Sequence, residues 1–274
     1  MDKLFRQRIQ LLFFIAFTWC IISFSGCDSK TDNAEPTTGK LTLHFSHKID
    51  SESIVFDDMR YVNAAGNHYL VNEIQYFISD VTLFHSNGTS LLLDQWEDIH
   101  YVDTDLPETQ NYIFKDDIPQ GIYDSISFTF GISEEKNHSL MFVNPPESFM
   151  FWPENLGGGY HYLKLNGKWL NELNQEAPFN FHLGIGQIYH SYPDSITSYV
   201  QNYFTVHFPV SAFGVKAGET QTLELVMNVE NWFQSPNIYN HDTYGGDIMQ
   251  KQEVMALAVE NGWNVFSIEF MTYK

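Results

Sequence analysis

The sequence predicts an all-β protein, an antiparallel β-sandwich with one short helix near its carboxyl end. Three observations carry that expectation. Apolar and polar residues alternate at period two through many short segments; Gly, Pro, Asn and Asp punctuate those segments; and a single stretch spaces its apolar residues at helical period. In chain order, Leu41, Leu43 and Phe45 share one face of a first strand, with Thr42, His44 and Ser46 on the other. Further strands are expected over 74–84, 90–93, 123–130, 160–165, 203–210, 222–229 and 264–273. Turn signals separate them, among them Asn87-Gly88, Pro119-Gln120-Gly121, Pro145-Pro146, Asn166-Gly167 and Lys216-Ala217-Gly218. The helix is expected over 247–260, after Gly245-Gly246, with Ile248, Met255 and Val259 along one side and a stop at Asn261-Gly262. Gly157-Gly158-Gly159 lacks the Gly-Lys-Ser/Thr ending of a phosphate cradle and reads as a tight turn feeding a strand.

Composition narrows the function classes. Of 274 residues, 43% are hydrophobic and only 18% charged, which excludes a disordered chain or a coiled coil. The formal charge of −20 is repelled by phosphate backbones, so no nucleic-acid partner is expected. The acidic stretch 94–105 reads as a solvated loop, with calcium binding as its alternative.

The amino terminus reads as an export signal. Lys3, Arg6 and Arg8 precede an apolar run over 11–22, and Ser23, Ser25 and Gly26 lead to Cys27. Phe24-Ser25-Gly26-Cys27 resembles a bacterial lipobox, whose cysteine is acylated; the alternatives are an ordinary signal peptide cut nearby or an uncleaved anchor. The expected organisation is a lipoprotein signal peptide over 1–26, a flexible tether over 27–39 and a β-sandwich domain over 40–274. Such a chain is an exported bacterial lipoprotein, held in the periplasm or at the outer membrane by its lipid. Removing 1–26 takes away Asp2, Lys3, Arg6 and Arg8, a net +2, and leaves −22. The two cysteines, Cys20 and Cys27, are both consumed by this reading, so thiolate metal sites and disulfides are excluded.

The sequence holds no nucleophile elbow, no His-Glu-x-x-His and no EF-hand loop, and no enzymatic activity is expected. Asn87-Gly88-Thr89 and Asn137-His138-Ser139 match a glycosylation acceptor that a bacterial lipoprotein does not use. Eleven histidines remain. His47 continues the Leu41-Leu43-Phe45 face and points inward, and His161 shares a face with Leu163 and Leu165. His182 lies opposite Phe179, Phe181 and Leu183, and His207 opposite Phe204, Val206 and Phe208, so alternation exposes both. A single inward histidine is ordinarily a hydrogen-bonded core residue; two or three converging make a site suited to copper or zinc.

Several stretches, taken in order, carry a resemblance. They are Leu41-x-Leu43-x-Phe45-x-His47, Tyr61-x-Asn63-x-x-Gly66, the run from Glu73 through Ser79 to Leu83, and Pro119-x-Gly121-x-Tyr123 with Phe130-Gly131-Ile132. Met150-Phe151-Trp152, Gly159-Tyr160-x-Tyr162-x-Lys164-Leu165-x-Gly167, Phe181-His182-Leu183-Gly184 and Glu260-Asn261-x-x-x-Val265-Phe266 complete them. Together they resemble the MbnP-like family, exported copper-binding proteins related to the methanobactin-associated protein. The resemblance implies a β-sandwich that binds copper through imidazoles, with a tryptophan oxidised to kynurenine in some members by a dihaem peroxidase-like partner. Carried over by motif, it implies His47 and His182 as ligands and Trp152 as the tryptophan. Pro153-Glu154-Asn155 stands where members often have a second aromatic, and His161 where an apolar residue is usual, which offers a third imidazole. A bulge or a sheet edge near Gly184 and Gly186 could turn His182 into the same cavity as His47. The expected function is copper capture or buffering at a membrane-anchored protein. The alternative is a surface module recognising carbohydrate or protein through its aromatic residues, with structural histidines.

Overall fold

The computed structural model describes residues 37–270, apart from positions 96, 194, 210 and 211. The signal segment, Cys27 and the tether up to residue 36 lie outside the described residues. Two sheets face each other. One runs Phe266–Phe270, Thr220–Asn228, Thr38–Ile49 and Glu52–Ser53, with Asn111–Ile113 and Ile118–Pro119 also on the first strand. The other runs Glu176–Leu183, Leu163–Leu170, His68–Phe84, Ser125–Phe130 and Phe204–Phe208, with short strands beside His68–Phe84. The sandwich is therefore as expected, with one exception: Thr38–Ile49 and Thr220–Asn228 pair in parallel. Most of the chain separates those two strands, so no tight turn dictates their direction.

Between the sheets the period-two pattern becomes the core. Leu41, Leu43, Phe45, His47 and Ile49 alternate buried along the first strand. Phe45 packs edge-on against Tyr76 of the facing sheet, and Phe128 against Phe266. The strand opens at Thr38, inside the stretch expected to be tether. Gly39 explains the difference: a Cβ there would meet the Lys216 carbonyl at 2.3 Å, so a residue that reads as linker is close-packed sheet.

The second sheet is covered on its outer face as well. Tyr76 and Phe77 are consecutive, point to opposite faces and are both fully buried. Phe77 lies against its cross-strand partner Tyr101, and against Phe142 and Tyr160 because the segment 131–161 folds over this face. That segment is irregular, with 3-10 turns at Glu147–Met150 and Glu154–Leu156. It returns to the sheet through Gly157, Gly158 and Gly159, whose φ values of 121°, 70° and 76° lie where a side chain is strained. Asn137 fastens the turn: its Oδ1 accepts from the Tyr160 N–H at 2.9 Å, so this sequon asparagine is buried and already engaged.

Two other expectations need correction. The acidic stretch 94–105 is not a solvated loop: Ile99–Asp103 is a strand, and Asp94, Asp98 and Asp103 are buried. Their carboxylates are taken by protein donors: backbone N–H groups of Lys115 and Asp116, the Lys136 ammonium, and Gln75 with the Tyr101 hydroxyl. The helix begins later than 247, at Gln252–Asn261, because Gly246 and Asp247 bridge to Asn180 of the sheet edge. A one-turn helix, His241–Tyr244, precedes it, capped by the Asn240 side chain. Among the described residues no helix is long and apolar enough to cross a membrane.

Candidate metal centre

His182 sits on Glu176–Leu183, opposite Lys164 of Leu163–Leu170, which is in turn opposite Gln75 of His68–Phe84. This row lies on the outer face, since the neighbouring row Leu183, Leu163 and Tyr76 points into the core. Alternation therefore places His182 correctly. The covering segment 131–161, which no periodicity reveals, makes the position half-buried rather than exposed.

His161 is buried at 5%, but not toward the core as Leu163 and Leu165 are. The strand begins only at Leu163; before it, the His161 N–H donates to the Met150 carbonyl and that of Tyr162 to Leu183. The chain is crossing from the covering segment onto the sheet, so the alternation that predicted the face of His161 does not apply. Its imidazole lies 5.1 Å from that of His182, ring centroid to ring centroid, at an interplanar angle of 86°. Trp152 packs edge-on against His161 at 4.7 Å, fully buried, with Nε1 donating to the Leu156 carbonyl. Gly184 makes room for the indole, for a Cβ there would stand 2.5 Å from a ring carbon.

Each imidazole has one nitrogen engaged and one bare. His161 Nδ1 lies 2.9 Å from the Met150 carbonyl oxygen, and His182 Nε2 lies 2.7 Å from Asn166 Oδ1. His161 Nε2 and His182 Nδ1 are buried with no hydrogen-bond partner. Burial, then the neighbouring His182 and the Lys164 ammonium, hold the His161 pKa well below the ordinary histidine value. Burial and Lys164 push His182 down to about 3. Both rings are thus neutral at neutral pH, with lone pairs free. Lys164 is itself lowered by burial, and its Nζ donates to the Phe149 carbonyl at 2.6 Å.

His47 does not join them. It points between the sheets, with its ring 5.8 Å from Tyr76, whereas His182 stands on the far face of the sheet that carries Tyr76. No bulge re-aims His182: its strand pairs without a break from Leu163↔Leu183 to Leu170↔Glu176. Burial, then His44, pushes the His47 pKa down to about 3, and its Nε2 is also without a partner. His207 is exposed, as alternation predicts. Among the described residues no three His, Cys, Asp or Glu side chains gather where a metal ion could be held; the pair His161 and His182, walled by Trp152, is what the fold assembles.

One buried imidazole escaped the sequence reading. His241 is 0% exposed inside a box formed by Phe179, Tyr239, Phe233 and Trp169, at 4.8, 5.0, 5.1 and 5.6 Å. Its Nδ1 accepts from Asn63 Nδ2 at 3.1 Å. It belongs to the Asn63–Asn67 knot, where Asn67 Oδ1 accepts the His241 N–H. Its only foreshadowing is Asn63 in Tyr61-x-Asn63-x-x-Gly66.

A comparison with curated proteins returns no match. Among solved structures, MbnP from Methylosinus trichosporium is similar, with a TM-score of 0.59 at 14% identity, covering 86% of this chain and 99% of that one. That likeness shows a shared fold. The family model for MbnP matches residues 38–255, from the first strand into the helix Gln252–Asn261. The chain belongs to the MbnP family.

Proposed function

We propose that this protein holds a copper ion as cargo between His161 and His182, capturing or buffering the metal rather than catalysing a reaction. One observation carries the reading: two adjacent imidazoles, one buried and one half-buried, each hold one buried nitrogen without a partner and have the other fixed by an oxygen acceptor. Metal-ligating histidines are held this way. The spacing of the rings permits a shared ion. With metal–nitrogen distances of about 2 Å, two rings sharing one ion have centroids no more than roughly 6.5 Å apart, and these are 5.1 Å apart. Neutral imidazoles without a carboxylate beside them suit copper better than a hard cation. Family membership supports a copper-related role.

The remaining parts of the reading rest on the sequence. Export and lipid attachment at Cys27 would place the centre outside the cytoplasm, on a tether. A dihaem peroxidase-like partner, if it acts on Trp152, would have to draw electrons through the protein, since the indole is fully buried. A carbohydrate- or protein-recognition module with structural histidines would use exposed aromatic residues such as Phe149, Tyr192 and Trp263. It gives no reason for two bare imidazole nitrogens to lie on adjacent rings, whereas His47 Nε2 and His241 Nε2 are bare without such a neighbour.

The test is titration of the purified, metal-stripped protein with Cu(I) and Cu(II). Near-stoichiometric tight binding of one ion is expected; no binding, or only weak binding spread over several sites, would overturn the reading.

A further inference from the structure

We infer that Glu73 and Asn166 are positioning residues that lock His182 in the tautomer presenting a bare Nδ1 to the metal centre. The inference rests on the copper-binding reading and adds two residues to which the amino-acid pattern assigns no role at the site. Glu73 and Asn166 face each other across the strands His68–Phe84 and Leu163–Leu170. Asn166 Nδ2 donates to Glu73 Oε1 at 2.6 Å, and Asn166 Oδ1 lies 2.7 Å from His182 Nε2.

An amide can be turned either way, and the carboxylate decides which. A carboxylate only accepts, so it claims the NH2 end and leaves the carbonyl end facing the imidazole. That oxygen also only accepts, so the proton of His182 must sit on Nε2 and the lone pair on Nδ1. With the amide reversed, its NH2 would donate to Nε2, the ring proton would move to Nδ1, and the centre would meet an N–H instead of a ligand. His161 is set oppositely: the Met150 carbonyl takes its Nδ1–H and leaves Nε2 bare. The two rings therefore offer different nitrogens, one fixed by backbone and the other by a two-residue relay.

Nitrogen NMR of the metal-free, full-length protein labelled with 15N-histidine reads the tautomer directly, with His182 assigned by its loss in His182→Gln. The parent should show the Nε2–H form of His182. Asn166→Leu should redistribute the proton and weaken copper binding by roughly 10–100-fold, the usual effect of losing such a support. Glu73→Ala should allow both amide orientations and give a mixture of tautomers. Exchanging the charges, Glu73→Gln with Asn166→Asp, rebuilds the relay with a carboxylate accepting from His182 and an amide donating to it. This double variant should restore the Nε2–H form and most of the affinity, which a merely structural role would not do. An Nδ1–H form of His182 in the parent would overturn the inference, as would unchanged tautomer and affinity in Asn166→Leu. If the parent binds no copper but the tautomers behave as stated, the relay stands and the copper reading fails.

Discussion

His161→Ala and His182→Ala are each expected to abolish tight copper binding, while His47→Ala leaves it within a few-fold of the parent. With two imidazoles and no thiolate at the centre, removing either leaves a single nitrogen donor. The loss should exceed the roughly 10–100-fold produced by disturbing a supporting residue. Neither substitution should unfold the sandwich, because both rings lie on the outer face of the second sheet, away from the layer between the sheets. His47→Ala should behave in the opposite way. That ring is buried beside Tyr76 in the layer between the sheets, so its loss should appear as lower stability, not lower affinity. Equilibrium dialysis against a copper chelator, with a thermal melt of each variant, separates the two outcomes. Weakened binding in His47→Ala with full binding in His161→Ala would return the assignment to the first strand.

Acid should destabilise the fold well above the pH at which carboxylates are protonated, and His241 should be a main cause. Burial pushes its pKa down to about 4, against an ordinary value of about 6.5 in the unfolded chain. Below that ordinary value the unfolded state takes up a proton that the folded state refuses. The stability is therefore fully present above about pH 6.5, falls as pH drops toward about 4 and then levels, a loss of about 3 kcal/mol from this group. His241→Phe keeps an aromatic ring in the box. It leaves Asn63 Nδ2 its bonds to Asn67 Oδ1 and the Tyr239 carbonyl. Urea unfolding of parent and variant at about pH 7.5 and about pH 4.5 isolates the contribution of His241 as the difference between their slopes. Equal slopes would contradict the account.

Period-two alternation was sufficient for the core. It set the face of the first strand, exposed His207 and put His182 on the outer side. It misled at His161, because that residue precedes its strand and belongs to the crossing of an irregular segment onto the sheet. No local pattern announces that segments such as 131–161 will cover a face, and this covering turns an outward histidine into a half-buried ligand candidate. The relay was out of reach for a related reason. Glu73 and Asn166 are 93 positions apart and meet only through strand register, which alternation does not supply. Motif order identified the family and named His182 and Trp152, which the structure places around His161; it also named His47, which the fold keeps on the other side of the sheet. Thr38 and Gly39 failed as tether because small residues serve close packing as readily as flexibility.

The most direct test of the central claim is to locate copper in a crystal of the loaded protein by its anomalous scattering. The account predicts one peak, within bonding distance of His161 Nε2 and His182 Nδ1 and beside Trp152. A peak at His47, or one bound to surface histidines with the His161–His182 pair empty, would contradict it.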